Sequence, residues 1–444
     1  MEYPEPIRSK LSQLGIEIGD KIRLVREDGL IIEGILMPRP RGANFIVVKL
    51  RNGYNVGIAW DKVKEITLIE KKKRYEVAKA KGVPKREGLP TVKIIGTGGT
   101  IASKIDYETG AVKPAMSAEE LVEDIPELLD VANIEAEQIL EILSENMEPK
   151  YWEKIALAVH AELLRDEIAG VIVAHGTDTM AYTSSALAFA IQDLNKPVVF
   201  TGAQRSSDRP SSDAAFNLMA SVVFATKANA AEVVVTMHGE TGDTYAVVHR
   251  ATRVRKFHST RRDAFQSVCA EPLAYVWPWA YEVKMISEPL NRRSNIEPKV
   301  LPKFDPRVLQ VKAYPGMPDL LEIALEKGYR GVIIEGTGMG HVPQRLVETI
   351  KRLTDAGVFV GVTTQCIHGT VNLNVYSTGR EMLDAGAVPL EDMLAEVATV
   401  KLMWALGNYG NDLEKVREIM LKPIAGEIRN RRTINLYRLS YPEI

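Results

Sequence analysis

The chain has 444 residues, of which 45% are hydrophobic and 26% are charged. This length and balance are typical of a globular protein with two or three domains and large buried cores. The formal net charge is −2, which excludes a global positive field for holding nucleic acid, so any RNA contact must be local or be made by a partner. The N-terminal decade has no apolar signal core, and no apolar run is long enough to span a bilayer. We therefore expect a cytoplasmic protein that does not engage a membrane.

The first predicted unit is a small antiparallel β-barrel within residues 1–75. Five short β-rich segments separated by turn residues are KIRLV, LIIEGILM, FIVVKL, YNVGIAW and EITLIE. The pattern leaves two roles open, a spacer or oligomerisation module on the one hand and a docking module for RNA or protein on the other. Residues 76–90, which are charged and then punctuated by proline and glycine, predict a linker.

From residue 91 the pattern changes to apolar, β-branched runs that alternate with helical stretches. Runs that are apolar throughout are typical of parallel strands buried on both faces. These runs are VKIIG at 92–96, GVIVA at 170–174, VVFTG at 198–202, VVVT at 233–236, GVIIEG at 331–336 and VFVGVT at 358–363. The alternation predicts a parallel α/β architecture.

Two α/β domains with parallel sheets follow from this alternation. The first covers residues 91–285 and the second residues 307–425, with a proline-containing linker at 286–306 and a tail at 426–444. Within the first domain, a helix is predicted to begin at Pro149 and to bury one face. That face carries Trp152, Ile155, Ala156, Val159 and Leu163.

Small and polar residues follow the predicted strands of the α/β region. The segments are GTGGT, HGTDT, GAQR, HGET, EGTG and TTQC. In parallel sheets, ligands bind beyond the carboxyl ends of the strands. This edge is therefore the predicted working face of the protein.

The first of these loops is Gly96-Thr97-Gly98-Gly99-Thr100. Its glycines let backbone N–H groups approach a ligand. It is not a dinucleotide fingerprint, because Ile101 stands where the third glycine belongs, and it lacks the lysine of a phosphate loop. By itself the loop is more typical of a tight strand-to-helix turn.

The second loop, residues 175–179, places the Thr177 hydroxyl beside the Asp178 carboxylate at the end of a buried strand. A buried carboxylate needs partners, although an aspartate at this position is also a common helix N-cap. Lys256 lies further along the chain in an arginine-rich run, HRATRVRKFHSTRRDAF. The composition of that run, taken alone, favours an RNA contact or a solvated loop.

Two other residues of interest are expected to have no catalytic role. His175 is expected to be a hydrogen-bonded structural histidine, and Cys366 a buried small residue. With Cys269 as the other cysteine, the sequence implies no disulfide framework and favours a reducing compartment.

Taken together, the motifs TGGTIAS, DYETGAV, HGTDT and KFHSTRRDAF resemble those of the L-asparaginase/glutaminase family, over residues 91–425. The resemblance implies two asparaginase-type α/β domains after the small barrel. It also implies hydrolysis of the side-chain amide of glutamine or asparagine. The catalytic residues implied by the resemblance are Thr100, Tyr107, Thr177, Asp178 and Lys256.

The same resemblance implies substrate-binding residues. Ser144 and Glu145 in ILSENM stand where the family has a Ser–Gln pair that holds the substrate, with glutamate replacing glutamine. Gly99 and Gly176 are implied to line the site. His341 in EGTGMGH stands where family members often place a residue that completes a neighbouring subunit's site, and we therefore expect at least a homodimer.

Such a set suits the chemistry of amide hydrolysis. An amide carbon is a poor electrophile and a threonine hydroxyl is a weak nucleophile, so a covalent route needs a base. Tyr107 would relay the proton of Thr100. Asp178 and Lys256 would polarise the Thr177 hydroxyl, and backbone N–H groups of the two loops would form an oxyanion hole. The sequence does not determine which threonine attacks first.

A barrel followed by this amidase resembles the amidase subunits of the archaeal glutamyl-tRNA(Gln) amidotransferases. The resemblance implies that the ammonia passes to a partner subunit of the GatE type within a heterotetramer. That partner would use ATP and Mg²⁺ to activate glutamate on Glu-tRNA(Gln) and would make most of the tRNA contacts. This chain is then expected to need no cofactor and no metal, and no His/Cys/Asp cluster has metal-ligand spacing.

Two other functions remain open from the sequence. One is a free-standing L-asparaginase that carries an N-terminal barrel and acts without a partner. The other is a non-catalytic scaffold that binds tRNA through the barrel and the arginine-rich stretches. The rate of amide hydrolysis, with and without the partner and the charged tRNA, would separate all three.

Overall fold

The computed structural model describes residues 3–37, 44–50, 55–71, 85–98, 103–105, 112–114, 121, 125–205 and 211–429. Within these ranges, no helix is long and apolar enough to cross a membrane. Three residues singled out above, Gly99, Thr100 and Tyr107, lie outside the described residues, and their roles stay predictions.

The N-terminal unit is an antiparallel sheet covered by a short helix. The helix is α1 (Glu5–Gln13), and the strands are β1 (Lys21–Arg26), β2 (Ile31–Met37), β3 (Phe45–Lys49), β4 (Asn55–Ala59) and β5 (Val63–Glu70). The strands lie in the order β4-β3-β2-β1-β5. Alternating residues such as Ile22 and Leu24 face inward and share one core with Ile7 and Leu11 of α1. The five predicted strands are confirmed, whereas α1, with Pro6 in its first turn, was not predicted.

The second unit contains the strands found in the described residues between 91 and 300. They are β6 (Thr91–Gly96), β7 (Ser103–Ile105), β8 (Val112–Pro114), β9 (Asn133–Gln138), β10 (Ile168–Ala174), β11 (Ile191–Gln192), β12 (Val198–Thr201), β13 (Val233–His238), β14 (Ala246–Arg250), β15 (Val254–Lys256), β16 (Phe265–Ser267), β17 (Ala274–Trp277), β18 (Glu282–Met285) and β19 (Lys299–Val300). Eight of them form one sheet in the order β18-β17-β14-β13-β12-β10-β6-β9.

This large sheet is parallel from β9 to β13 and antiparallel from β13 to β18. The parallel part confirms the predicted α/β architecture, and the antiparallel extension is a feature that the sequence pattern did not indicate. Outside this sheet, β15 and β16 form a separate antiparallel hairpin. Within the predicted linker at 286–306, β19 pairs with β11.

Helices cover both faces of the large sheet. They are α2 (Pro149–Leu163), α3 (Met180–Ala190) and α4 (Ala214–Lys227). The first two share a core on one face, and α4 packs into a second core on the other face. Pro149 opens α2, and the five apolar residues predicted for its inner face are all buried, as expected from the helical period.

The third unit is a smaller, wholly parallel sheet with helices around it. Its elements are β20 (Val308–Lys312), α5 (Glu322–Glu326), β21 (Gly331–Gly336), α6 (Val347–Asp355), β22 (Phe359–Thr364), α7 (Ser377–Asp384), β23 (Val388–Pro389), α8 (Ala395–Tyr409) and α9 (Leu413–Leu421). Helix α8 packs against this sheet on one side and against α3 of the second unit on the other. One core therefore runs through both α/β units.

Candidate active site

Lys256 contacts Thr177 and Asp178 of the second loop. Strand β10 ends at Ala174 and α3 begins at Met180, so residues 175–179 form a short turn at the carboxyl edge of the large sheet. The Nζ of Lys256, at the end of β15, donates to Thr177 Oγ1 at 2.8 Å and to Asp178 Oδ1 at 2.7 Å. The structure thus brings together three of the predicted catalytic residues, although Lys256 lies 78 residues after Asp178.

The three side chains differ in their access to solvent. Thr177 is 8% exposed, while the side chains of Lys256 and Asp178 are 14% and 67% exposed. A cation within hydrogen-bond distance of a hydroxyl favours the deprotonated form of that hydroxyl. The Asp178 carboxylate is open enough to accept further hydrogen bonds from a ligand, whereas the enclosed ammonium of Lys256 is held between Thr177 and Asp178.

Close packing around two glycines holds the turn in place. A Cβ on Gly176 would lie 2.7 Å from the Cβ of Ser144, and one on Gly202 would lie 2.5 Å from the carbonyl oxygen of His175. The Oγ1 of Thr179 donates to the carbonyl oxygen of Ser144 at 2.7 Å. The turn and the segment that carries Ser144 are therefore fixed relative to each other.

The predicted substrate-binding pair lies on that fixed segment. Ser144 and Glu145 begin the short 3-10 turn Ser144–Asn146. Ser144 is buried against Gly176, and Glu145 is exposed. Of the predicted substrate-binding residues, the structure thus places Ser144 and Gly176 in contact, with Glu145 next to them in the chain.

The first glycine-rich loop starts at the same edge of the sheet. Gly96 of β6 is the parallel neighbour of Ala174, and the Oγ1 of Thr97 donates to the carbonyl oxygen of Ala174 at 3.0 Å. Gly98 has a φ of +106°, and a Cβ there would lie 2.2 Å from a backbone carbonyl oxygen. Only glycine suits that position, because other residues rarely adopt such a backbone conformation.

The arginines around Lys256 are each paired with a carboxylate of the same chain. The pairs and their shortest N–O distances are Arg250–Glu232 at 2.8 Å, Arg253–Asp392 at 3.0 Å, Arg255–Glu396 at 3.2 Å, Arg261–Asp263 at 2.7 Å and Arg262–Asp243 at 2.8 Å. Phosphate binding needs cations that are free to replace counterions. Internal pairing therefore accounts for this run better than the RNA contact or solvated loop that its composition favours.

His341 lies in a cleft of the third unit. The cleft has a volume of about 810 Å³, and its lining includes Thr337, His341, Cys366, His368 and Tyr376 but neither Thr177 nor Lys256. The His341 ring packs edge-on against Tyr376, with 5.1 Å between the ring centroids. Its contribution to a neighbouring subunit's site stays a prediction.

The sequence predicted the hydrogen bond of His175 correctly and the burial of Cys366 incorrectly. The Nδ1 of His175 lies 2.7 Å from the carbonyl oxygen of Gly176, and burial lowers the pKa of its imidazole to about 4 against the opposing effect of that hydrogen bond. The expected hydrogen bond is present, and a purely structural role for His175 stays a prediction. The prediction of a buried Cys366 is wrong, because the chain has left β22 at this point and runs along the surface, where the thiol is exposed.

A buried charge cluster that the sequence analysis did not single out lies at the same sheet edge. Asp243, in the turn after β13, accepts from Nη1 of Arg262 at 2.8 Å and lies 3.1 Å from both Nζ of Lys49 and Nε2 of His238. We call these four residues the Asp243 cluster. Burial raises the pKa of Asp243, but the hydrogen bond to His238 and the charge of Lys49 outweigh it, and the pKa is about 2.

Family models match three stretches of the chain. The models are "Asparaginase, N-terminal" over residues 91–291, "Glutaminase/Asparaginase C-terminal domain" over residues 307–420 and "GatD N-terminal domain" over residues 16–69. Among solved structures, the thermostable L-asparaginase from Thermococcus kodakarensis is 37% identical with a TM-score of 0.68, and L-asparaginase I from Vibrio cholerae is 28% identical with a TM-score of 0.67. Each match covers 77% of this chain and 100% of the asparaginase.

Curated relatives match over nearly the full length. The D subunit of the glutamyl-tRNA(Gln) amidotransferase from Pyrococcus horikoshii is 51% identical over 94% of this chain and 96% of its own. The corresponding protein from Metallosphaera sedula is 51% identical over 96% of this chain and 95% of its own. The chain therefore belongs to the asparaginase family and, within it, to the family of glutamyl-tRNA(Gln) amidotransferase D subunits.

Proposed function

We propose that this chain is the amide-hydrolysing subunit of a glutamyl-tRNA(Gln) amidotransferase. It releases ammonia from glutamine or asparagine, and a partner subunit uses the ammonia to convert Glu-tRNA(Gln) to Gln-tRNA(Gln). The observation that carries the proposal is the contact of Lys256 with Thr177 and Asp178 at the carboxyl edge of the large sheet. The D subunits of other organisms, similar over nearly the whole chain, support the role in amidation of tRNA.

The reaction runs through a covalent ester. The hydroxyl oxygen of Thr100 or Thr177 adds to the amide carbon, and its proton passes through a base to the leaving nitrogen. The C–N bond breaks and ammonia leaves. Water then adds to the ester, a proton returns to the threonine oxygen, and the free amino acid departs. Lys256 stabilises the developing charge on Thr177 Oγ1, and Tyr107 relays the proton of Thr100.

Recognition of the substrate uses the open side of the site. The exposed carboxylate of Asp178 accepts the substrate ammonium, and Glu145 adds a second negative charge. Ser144 contacts the substrate α-carboxylate. Gly99 and Gly176 let backbone N–H groups reach the oxyanion.

In this proposal the chain works within a larger assembly in the cytoplasm. Two copies form a homodimer, in which His341 completes the neighbouring site, and two partner subunits of the GatE type make a heterotetramer. The partner uses ATP and Mg²⁺ and holds most of the Glu-tRNA(Gln), while this chain needs no cofactor. The amidotransferase as a whole is a carbon–nitrogen ligase with glutamine as amide donor.

Two observations favour this function over its alternatives. The solved L-asparaginases are matched along their whole length yet cover 77% of this chain, so a free-standing asparaginase leaves the N-terminal unit without a role. A non-catalytic tRNA scaffold would not require Lys256 to donate to Thr177, and the five arginines of the run around Lys256 are paired with carboxylates.

The test is the rate of glutaminase activity in three mixtures. The isolated chain should be slow, the chain with its partner faster, and the complex with Glu-tRNA(Gln) and ATP fastest. A partner shifts the site only by its preference for the active conformation, and a tenfold activation needs about 1.4 kcal/mol of such preference. Tyr107→Phe should reduce the increase in glutaminase rate from the first mixture to the third.

Two results would overturn the proposal in different ways. Full activity of the isolated chain would favour the free-standing asparaginase. A folded complex that binds Glu-tRNA(Gln) but releases no ammonia from glutamine or asparagine would favour the scaffold. Lys256→Met serves as the control for background hydrolysis in all three mixtures.

A further inference from the structure

The N-terminal unit contacts the large sheet through one end of the hairpin formed by β3 and β4. Lys49 at the end of β3 and Asn55 at the start of β4 are cross-strand partners. Lys49 Nζ lies 3.1 Å from Asp243 Oδ2, and the backbone N–H of Asn55 donates to Ser211 Oγ at 3.0 Å. Ser211 and Asp243 lie in the loops that follow β12 and β13, which we call the receiving loops. These loops are at the carboxyl edge of the large sheet, where Lys256 and Thr177 also lie.

The two receiving loops are joined to each other by buried hydrogen bonds. The Nδ1 of His238 is 2.7 Å from Oδ1 of Asn217, whose Nδ2 donates to Oδ2 of Asp213 at 3.0 Å. Asp213 in turn accepts from the backbone N–H groups of Gln204 and Arg205 at 3.0 and 2.9 Å. A fully hydrogen-bonded buried network is rigid, so the residues that it joins, from Gln204 and Arg205 through Asp213 and Asn217 to His238, are held firmly beneath the hairpin from the N-terminal unit.

Asp243, in the second of these loops, also holds the hairpin that carries Lys256. Arg262 lies in the loop between β15 and β16, its side chain is 7% exposed, and its Nη1 donates to Asp243 Oδ1 at 2.8 Å. At the root of that loop, the N–H of Phe257 bonds the carbonyl oxygen of Ala264, and Lys256 pairs with Phe265. Asp243 thus holds the N-terminal unit with one carboxylate oxygen and the catalytic hairpin with the other.

We propose that Asp243 is a positioning residue through which the N-terminal unit sets the alignment of Lys256. Lys49 fixes one side of the carboxylate and Arg262 the other, so a shift of the N-terminal sheet moves the loop that supports Lys256. The N-terminal unit then helps to hold Lys256 in its catalytic position. A partner subunit that moves this unit changes the rate of amide hydrolysis. The activity readout of this inference rests on the proposed function.

The first experiment removes the contact from the side of the N-terminal unit. In the full chain with its partner, Lys49→Met should lower kcat for glutamine hydrolysis about two- to thirtyfold, the range measured for residues that couple distant parts of a protein, with KM unchanged. Lys49→Arg, which keeps the charge, should restore the rate. Lys62→Met removes an exposed lysine of the same unit and should leave kcat unchanged.

The second measurement does not depend on catalysis. Hydrogen–deuterium exchange at residues 254–266 should be faster in Lys49→Met than in the wild type or Lys62→Met, because the hairpin has lost one of its supports. This readout decides the inference even where the wild-type complex releases no ammonia and the proposed function fails.

A double variant distinguishes coupling from simple damage to the fold. Asp243→Asn should lower kcat at least as much as Lys49→Met, and Lys49→Met combined with Asp243→Asn should lower it no further, because both changes interrupt one connection. Additive losses, unchanged exchange at residues 254–266 or a normal kcat in Lys49→Met would each overturn the inference. The lysine variants keep it testable if Asp243→Asn does not fold.

Discussion

At the scale of single residues, the site contains the ion pair Lys256–Asp178, whose two side chains differ in their exposure to solvent. Lys256 is largely enclosed and is aimed at the Thr177 hydroxyl, while most of the Asp178 carboxylate faces solvent. Exposed ion pairs add little to stability. The pair is therefore better explained by chemistry at Thr177 than by a need to hold the fold together.

Substitution of these residues should remove catalysis and leave the fold intact. Thr177→Val, Asp178→Asn and Lys256→Met should each lower kcat by about 10²–10⁴-fold, the usual contribution of assisted proton transfer. Combining two of them should cost little more than one, because residues that act as a unit give non-additive losses.

The matched control for these variants is Gln266→Ala, an exposed change on the strand that pairs with β15. It should keep the wild-type rate. Thr100→Val is expected to behave like the other threonine variant. Near-normal turnover in two or more correctly folded catalytic variants would contradict the assignment of the site.

Two buried histidines should make the stability of the protein depend on pH. Burial lowers the pKa of His175 to about 4 and that of His249 to about 3, while both are near 6.5 when the chain is unfolded. Between those values the unfolded chain binds more protons than the folded one. Stability is therefore full above pH 6.5 and falls as the pH drops toward 4, by about 1 kcal/mol per pH unit for each histidine.

The measurement is the midpoint of urea unfolding at pH 7 and pH 5. His249→Asn should lower the midpoint at pH 7, because it disturbs a buried contact with Ser267, but should reduce the difference between the two pH values. An undiminished difference in the variant would show that His249 is not responsible.

At the scale of elements, α8 joins the two α/β units. It is mostly apolar and is buried on nearly all sides, as expected for a helix at the centre of a core. Its one lysine, Lys401, is fully buried and is paired with Glu427, while its Nζ also donates to the carbonyl oxygens of Met420 and Lys422. This pair fixes the segment after α9 to the joint between the units.

Breaking that buried pair from one side should be costly. Lys401→Met leaves the Glu427 carboxylate buried without its cation and should lower the free energy of unfolding by about 3–5 kcal/mol. Adding Glu427→Gln removes the stranded charge and keeps an acceptor for the N–H groups of Ile424 and Ala425.

The double variant should therefore be more stable than Lys401→Met alone. Denaturant unfolding followed by intrinsic fluorescence measures both variants, with Lys415→Met as an exposed control. A double variant that is less stable than the single one would show that the pair is not the source of the loss.

At the scale of the whole molecule, the proposed dimer predicts complementation between two inactive chains. Each site of the proposed dimer combines Lys256 of one subunit with His341 of the other. A dimer of one Lys256 variant and one His341 variant therefore has one intact site and one site that carries both changes. Mixing Lys256→Met chains with His341→Ala chains should therefore restore activity at about a quarter of the sites, as expected for a symmetric dimer.

Sedimentation and glutaminase rates of the separate and mixed chains provide the check. The two variants must each be weakly active alone and must exchange subunits on mixing. No recovery in a mixture shown to contain mixed dimers would contradict the shared site, as would a fully active monomer at the assay concentration.

The sequence determined the architecture where the local pattern was unambiguous. Short apolar runs such as residues 170–174 and 331–336, bounded by glycines or polar loops, predicted doubly buried strands, and the helical period after Pro149 defined the inner face of α2. Strands with polar or mixed residues, such as β9 and β18, gave no comparable signal, because β9 has a partly exposed end and most of β18 is exposed. Their place in the sheet depends on neighbours far away in the chain.

For the site, the sequence by itself determined which residue types follow which strands, and the motifs around Thr100, Tyr107, Thr177 and Lys256 indicated an amidase only when taken together, through their resemblance to a known family. Only the tertiary structure decided what each charged group faces. It gave the arginines around Lys256 their carboxylate partners, exposed Cys366, and placed Lys49 of the N-terminal unit on Asp243. The physical reason is that Coulomb and hydrogen-bond energies depend on distances of a few ångströms, and between remote segments those distances are set by the packing of the sheets.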